Sequence, residues 1–225
     1  MTLEGEPVLR YSLNWPELEG RGFGVRWINR YYVWLVRSWR ERWQREVYWR
    51  ACLDLVSCRG GGRHFETWTG SLSGEVTLWE RGLLSLRFAG EERHGRGKPN
   101  RVRWGDVWKV KEGAPCPAKE IFSGRRGWKR ELTARVVEQG EARRAAGDCF
   151  LLPNWEKRVA RTLPTEDFCL IPDGIELAFP QCTIAPAAEG TPVFCVSVEK
   201  TGEKQPVSAT KHRFKKIRRK KKNYP

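Results

Sequence analysis

The sequence predicts an α+β fold, in which antiparallel β-sheets pack with one long N-terminal helix and two shorter helices. Three observations lead to this prediction. Apolar residues recur every three or four positions over residues 26–57, which is the period of a helix. Residues 64–111 and 166–200 are rich in strand formers that alternate with polar residues. Short turn motifs separate these runs, as is typical of antiparallel neighbours.

The first two predicted elements are a strand and a long helix. The strand covers residues 8–13 and is expected to end at Pro16, because proline has no amide hydrogen to donate to a ladder. The helix covers residues 26–57 and is stopped by the glycines at 60–62. Its expected core stripe is Ile28, Tyr32, Leu35 or Val36, Trp39, Trp43, Val47, Ala51 and Leu55. Tyr31, Trp34 and Trp49 lie off that stripe and would form a second contact.

The middle of the chain reads as an antiparallel meander. Strands are predicted over residues 64–69, 75–79, 83–88 and 102–110. Glu80-Arg81-Gly82 has the composition of a hairpin turn, and residues 90–100 are expected to form a polar loop. In the last predicted strand Val102, Trp104, Trp108 and Val110 share one face, so that strand should be half buried.

The second half of the chain is predicted to form two helices followed by three strands. A proline-marked connection at 113–123 leads to helices over 125–146 and 153–162. Strands follow over 168–171 and 175–179, joined by a turn at Pro172-Asp173-Gly174. A loop from 180 to 192 precedes the last strand at 193–198. We expect one α+β domain over residues 1–205, with sub-lobes 1–112 and 113–205 as an alternative division.

Charge is concentrated at the C-terminus. The chain has 225 residues and a net charge of +15, and nine of its basic residues fall in the last fifteen positions, which contain no acid. Residues 206–225 are therefore predicted to be a disordered basic tail with affinity for nucleic acid or another anionic surface. A run of like charges attracts polyanions without reading sequence. The polyanion-binding residues would be Lys211, Arg213, Lys215, Lys216, Arg218, Arg219, Lys220, Lys221 and Lys222.

Several function classes lack their sequence signatures. The chain has no nucleophile elbow, zincin motif, phosphate-binding loop or Cys-x-x-Cys pair, so no cofactor and no metal site is expected. Neither an apolar span nor a signal-peptide core occurs, which predicts a cytoplasmic protein whose seven cysteines are reduced. Two chemical alternatives stay open: a Cys–His pair that meets in space, and Asp106 acting as an acid.

The C-terminal segment from Phe168 to Glu199 carries a recognisable pattern. A strand, an Asp-Gly turn and a strand ending in Phe are followed by Ile-Ala-Pro-x-Ala-x-Gly and a last strand. The matching residues are Asp173, Gly174, Phe179, Ile184, Ala185, Pro186, Ala188 and Gly190. The upstream order agrees, with Trp27 and Asn29–Tyr32 in the helix, then Gly105-Asp106, then residues 116–122. Over roughly residues 8–200 the chain resembles the domain of unknown function in RsiV-type anti-sigma factors.

That resemblance implies a non-catalytic domain that binds or senses a protein ligand. Lysozyme-responsive members of the family bind lysozyme, and the same domain accompanies some peptidoglycan deacetylases. By resemblance, the partner-binding loop lies between residues 179 and 192, where prolines would stiffen a finger that enters a partner's cleft. The loop residues assigned to that contact are Phe179, Pro180, Gln181, Ile184, Ala185, Pro186 and Gly190.

Two further hypotheses belong to other classes. The first is a nucleic-acid-binding protein that uses the basic tail together with the Trp- and Arg-rich helix as a stacking platform. The second is an enzyme that acts on cell-wall glycans, which rests on the family association alone. A steep salt dependence of binding would favour the first, and a pocket lined by paired carboxylates would favour the second.

Overall fold

The long helix and its two flanking strands form a β-α-β unit in the computed structural model, which describes residues 1–197 and 218–224. A hairpin of β1 (Thr2–Leu3) and β2 (Glu6–Pro7) precedes β3 (Leu9–Glu17). The helix runs through α1 (Phe23–Arg42), a π-helical turn (Trp43–Val47) and α2 (Tyr48–Gly60). Strand β4 (Trp68–Glu80) then pairs with β3 in parallel. This pair differs from the all-antiparallel expectation, because a helical crossover returns the chain in the same direction.

The meander is confirmed and completes a six-stranded sheet. Strands β5 (Leu83–Arg93), β6 (Asn100–Lys109) and the short β7 (Ala114–Pro115) follow β4 in antiparallel order. Arg81 and Gly82 both have positive φ, as the two-residue turn between β4 and β5 requires. The predicted boundaries were wrong in three places. Residues 64–67 precede the sheet instead of joining it, and residues 70–74 join two predicted strands into the single strand β4. Strand β5 extends into the segment expected to be a loop.

Strand β3 also continues through Pro16, where the sequence predicted its end. The parallel ladder with β4 covers only Leu9–Asn14, so Pro16 lies beyond it and its missing amide hydrogen costs that ladder nothing.

The second half of the chain supplies three helices and a small sheet. Helices α3 (Ala118–Ile121), α4 (Trp128–Ala145) and α5 (Trp155–Thr162) precede β8 (Phe168–Ile171), β9 (Gly174–Ala178) and β10 (Val193–Ser197). These strands form an antiparallel sheet in the order β10-β9-β8, with a single 3₁₀ turn at Ala187–Glu189 in the last loop. Both shorter helices predicted from the sequence are present, and α3 is an additional single turn.

The large sheet has one hydrophobic core on each face. Between the long helix and the sheet lie Ile28, Tyr32 and Trp43 with Leu86 and Phe88. On the other face the small sheet and helices α3–α5 enclose the second core, whose members include Phe122, Trp155, Phe168, Phe179 and Phe194. The two sheets approach so closely that a Cβ at Gly105 would overlap the backbone of Phe168. The α+β class is therefore confirmed, in a helix–sheet–sheet arrangement.

The π-helical turn explains how a very long helix keeps one buried face. From Trp39 onward one row of core positions is spaced by four residues: the partly buried Trp39, then Trp43, Val47, Ala51 and Leu55. In a straight α-helix each such step rotates the stripe by about 40°. The wider turn at Trp43–Val47 absorbs that rotation, so the stripe stays against the sheet along its whole length.

Part of the predicted tail forms a strand instead of a disordered segment. Strand β11 (Arg218–Tyr224) pairs antiparallel with the outer side of β3. The physical reason is that β3 otherwise leaves an open edge, whose backbone groups accept any extended segment that reaches it. Residues 198–217 and 225 lie outside the described residues. No helix in the part of the chain that the structure describes is long and apolar enough to cross a membrane.

Candidate functional site

A cleft opens at the edge of the large sheet, beside the first half of the long helix. It has a volume of about 110 Å³ and lies between α1, the end of β6 and the connection that follows β7. Its lining consists of Tyr31, Asp106, Val107, Trp108, Pro115, Cys116, Pro117 and Glu166. Two aromatic rings, two carboxyl groups and one thiol therefore come together from four separate parts of the chain.

Asp106 is held in place by a hydrogen-bond relay from the helix. The Tyr32 hydroxyl donates to Asp106 Oδ2 over 2.7 Å, and Trp108 Nε1 donates to the Tyr32 hydroxyl oxygen over 2.6 Å. Burial, together with Asp106, raises the pKa of Tyr32 well above its ordinary value, so this phenol remains a donor at neutral pH. The relay holds Asp106 Oδ2, and the Trp104 side chain is a further hydrogen-bond partner of the same carboxylate.

The cleft is locally acidic although the protein is strongly basic. Burial raises the pKa of Asp106 above 3.8, and the neighbouring Asp167 raises it further. The pKa of Tyr31 is raised by burial and then by Asp106 and Asp167. Glu166 lies at the rim and is exposed. A cation entering here would meet negative potential and would relieve the cost of ionising Asp106.

The walls of the cleft are aromatic. The Tyr31 ring contacts the Trp108 ring edge-on, with the centroids 5.2 Å apart, and it contacts Tyr32 in the same manner at 5.1 Å. Ring faces attract cations, and they do so more strongly where water is partly excluded. Cys116 Sγ also lines the cleft, but burial raises its pKa, so at neutral pH this thiol is not ionised.

The loop predicted to bind a partner is packed mostly into the second core. Phe179, Ile184 and Ala185 are buried, so the structure gives these three side chains a packing role and they do not face a partner. Gln181 clamps the loop: its amide nitrogen donates to the carbonyl oxygens of Pro99 and Ala187, and its oxygen accepts from Arg101 N over 2.9 Å.

The rest of that loop presents a small surface at the start of β6. Pro180 is exposed, Pro186 is half-buried, and Gly190 is buried with a positive φ. Since the cleft lies at the other end of β6, about 20 Å separates the two along the strand. The structure does not bring the predicted loop and the cleft together.

The remaining predicted residues are placed as follows. Lys211, Arg213, Lys215 and Lys216 lie outside the described residues, whereas Arg218–Lys222 belong to β11. Sequence reasoning singled out Asp106 and Tyr31 separately but did not combine them. It missed Trp108, Cys116 and Glu166 as neighbours, because no local pattern records that the end of β6 lies beside the helix.

Neither His64 nor His94, the two histidines within the described residues, lines this cleft. His94 stacks on Trp68 with ring centroids 4.1 Å apart, and burial lowers its pKa. None of the residues lining the cleft is a histidine. Among the described residues, no group of three or more His, Cys, Asp or Glu side chains is arranged to hold a metal ion.

Comparison with known proteins identifies solved structures with a similar fold. No family model matches the chain, and no curated protein matches it. A solved structure of a DUF3298-family member from Bacteroides fragilis is similar, with a TM-score of 0.52 and 19% identity over 78% of this chain and 70% of that one. A DUF3298-family protein from Pseudomonas aeruginosa has a TM-score of 0.41 and 14% identity over 58% of each chain. The chain therefore shares the fold of the Bacteroides fragilis structure, a member of a family of unknown function.

Proposed function

We propose that this protein is a non-catalytic binding domain that recognises a cationic protein partner. The observation that carries the proposal is the acidic, aromatic-walled cleft formed by Tyr31, Trp108 and Asp106. An arginine or lysine side chain of the partner would enter it. The sequence resemblance to the lysozyme-binding domain of RsiV-type anti-sigma factors points to the same class of partner, because c-type lysozymes are cationic.

The size of the cleft favours a side chain over a metabolite. Small-molecule sites usually enclose about 300–1,000 Å³. The 110 Å³ found here is too little for a cofactor or a sugar, but it accommodates the planar head of one side chain. A protein partner would then gain the rest of its contact area on the surface around the cleft.

The chemistry of the cleft also favours binding over catalysis. Catalysis by a nucleophile needs an activated group with a base beside it. Cys116 has a raised pKa, and the Tyr32 hydroxyl donates to Asp106 instead of accepting a proton from it. By contrast, a carboxylate beside aromatic rings in one cleft is a receptor for a guanidinium or ammonium group.

The acidic groups of the cleft can attract a cationic partner although both proteins carry a net positive charge. The chain carries +15 overall, so its long-range field slows the approach of a cationic partner. Nine of the basic residues lie in the last fifteen positions of the sequence. Once the surfaces meet, the complementarity of Asp106, Glu166 and Asp167 with the partner's side chain decides the affinity.

The first test is a calorimetric titration with hen egg-white lysozyme. We expect micromolar or tighter binding by the unmodified full-length chain. Asp106→Asn keeps an oxygen that can accept from Tyr32 but removes the charge, and it should weaken binding at least tenfold. Tyr31→Leu should weaken it by a similar factor. Glu138→Gln, an exposed carboxylate on α4, is the matched control and should bind as the unmodified chain does.

Two results would contradict the proposal. Undiminished binding by Asp106→Asn and Tyr31→Leu would place the contact elsewhere. Lysozyme that fails to bind, together with salt-sensitive binding of a single-stranded oligonucleotide, would favour the nucleic-acid hypothesis.

The pH dependence of the affinity is a second prediction. Asp106 attracts a cation only when ionised, and its pKa lies above 3.8. Because a raised acid pKa makes the carboxylate take up its proton at a higher pH, binding should weaken on acidification before an ordinary aspartate would titrate. Titrations at pH 7, 6, 5 and 4 should show this loss in the unmodified chain. Asp106→Asn should not show the part of this loss that comes from protonation of Asp106. Any pH dependence that remains in that variant comes from other groups, including those of the partner.

A further inference from the structure

The outward side of the long helix carries large apolar residues that the core does not use. We define the outer helix stripe as Phe23, Trp27, Trp34, Trp49, Leu53 and Val56, whose exposed fractions range from 50% to 69%. The spacing of three, four or seven residues within each half puts these side chains on one side of the helix. That side lies opposite the buried positions Ile28, Tyr32 and Val36. Such patches are uncommon on soluble domains and mark contact surfaces.

Arginines accompany the stripe. The helix from Phe23 to Gly60 contains eight arginines, three acids and no lysine, and its first eighteen residues, 23–40, contain four arginines and no acid. Arg26 and Arg30 are exposed next to Trp27. Phe23 and Trp27 stack at a centroid distance of 6.5 Å, so they present one continuous aromatic surface. The charge of this surface fits an anionic partner.

The shape of the surface distinguishes between anionic partners. The π-helical turn keeps the buried stripe against the sheet, so the outer stripe also runs straight along a helix about 57 Å long. It is a convex ridge, whereas single-stranded nucleic acid is bound in grooves that follow its backbone. Leu53 and Val56 offer no ring on which a base could stack. A helix that lies in the plane of a bilayer uses all of these features together.

We propose that the outer helix stripe docks this protein on an anionic lipid surface. The aromatic and aliphatic side chains enter the boundary between headgroups and acyl chains, where tryptophan is favoured. Arg26 and Arg30 pair with lipid phosphates. This contact does not involve the cleft, and it does not depend on the function proposed for it.

Co-sedimentation of the full-length chain with lipid vesicles tests this proposal. Vesicles of phosphatidylcholine with 30% phosphatidylglycerol are compared with pure phosphatidylcholine at low salt and at 0.5 M NaCl. The basic C-terminal segment is present in every variant, and high salt screens its contribution. We expect the double variant Trp27→Ser, Trp34→Ser to partition at least tenfold more weakly than the unmodified chain into the anionic vesicles at 0.5 M NaCl.

Matched variants separate the stripe from general effects. Phe150→Ser removes an aromatic ring that is 74% exposed but lies outside the long helix, and it should partition as the unmodified chain does. Arg26→Gln, Arg30→Gln should reduce the preference for anionic over neutral vesicles severalfold. Thermal unfolding of each variant confirms that the fold is retained.

Three outcomes would overturn the proposal. One is equal partitioning of the unmodified chain and the Trp27→Ser, Trp34→Ser variant, which would leave only the basic segment as a lipid contact. A second is a larger effect of these substitutions on binding of an oligothymidylate than on binding of vesicles, which would assign the stripe to nucleic acid. The third is a dimer in analytical ultracentrifugation that the same substitutions dissociate, since the stripe would then bind a second copy of the chain.

Discussion

Trp43→Ala should lower the free energy of unfolding by about 3–5 kcal/mol, which is a large part of the stability of a typical domain. Trp43 is fully buried in the π-helical turn, and its ring packs against Gly70 so closely that a Cβ on Gly70 would lie 2.9 Å from it. Its ring also contacts Tyr11 at a centroid distance of 5.3 Å and Trp39 at 5.5 Å. Truncation would leave a cavity between the helix and the sheet. The cavity would not close, because the backbone of both elements holds it open.

The same substitution removes a partner of a buried carboxylate. Trp43 Nε1 donates to Glu92 Oε1 over 2.6 Å, and Arg42 also pairs with Glu92. Trp43→Phe keeps most of the volume and loses this hydrogen bond alone, so we expect a cost of about 1.5–3 kcal/mol. Urea denaturation of both variants measures the difference. A cost below 1 kcal/mol for Trp43→Ala would contradict the assigned role of this side chain.

Glu176→Ala should be comparably destabilising, by about 3–5 kcal/mol, because it removes a buried counter-charge from the partly buried guanidinium groups of Arg87 and Arg103. Glu176 on β9 is 4% exposed and lies between the two sheets. It accepts from Arg87 Nη1 over 2.6 Å and from Arg103 Nη2 over 2.8 Å. Arg87 also bonds Glu75, so the loss falls mainly on Arg103. The carboxylate links the two sheets, as does the hydrogen bond from Leu170 N to Ser85 Oγ.

An exposed ion pair provides the control for this prediction. Glu91 pairs with Arg101 at 2.9 Å, and both side chains are about two-fifths exposed. Glu91→Ala should cost no more than about 1 kcal/mol, since water replaces the lost contact. Thermal and urea unfolding of the two alanine variants should therefore differ severalfold in their effect. If both variants lost the same free energy of unfolding, burial would not make the Glu176 ion pairs more important for stability than the exposed Glu91–Arg101 pair.

Long elements with one clear period could be predicted from the sequence. The stripe from Ile28 to Leu55 identifies the helix and its buried face, because a regular period is a local property of the chain. The hairpin turn at Arg81-Gly82 was equally predictable, since glycine readily adopts the positive φ found at Gly82. The π-helical turn was not predictable, since Ile28, Tyr32 and Val36 have the same spacing of four residues in the regular α-helix.

Other features depend on contacts between distant segments. The parallel pairing of β3 with β4, and the strand that Arg218–Tyr224 adds to β3, depend on which backbone edge remains open after folding. The segment 179–190 resembles a binding loop in sequence, yet Phe179 and Ile184 pack into the second core. A proline-rich segment has the same sequence pattern whether it projects into solvent or covers a core.

The sequence by itself determined the fold class, the long helix with its buried face and the antiparallel meander, because each of these follows from periodicity and turn residues within neighbouring segments. Only the tertiary structure decided where the cleft lies. Tyr31, Asp106, Cys116 and Glu166 are separated by up to 135 positions, and they meet where the helix, the end of β6 and the chain before β8 converge. No local pattern encodes that meeting, since it results from the packing of two cores against one sheet.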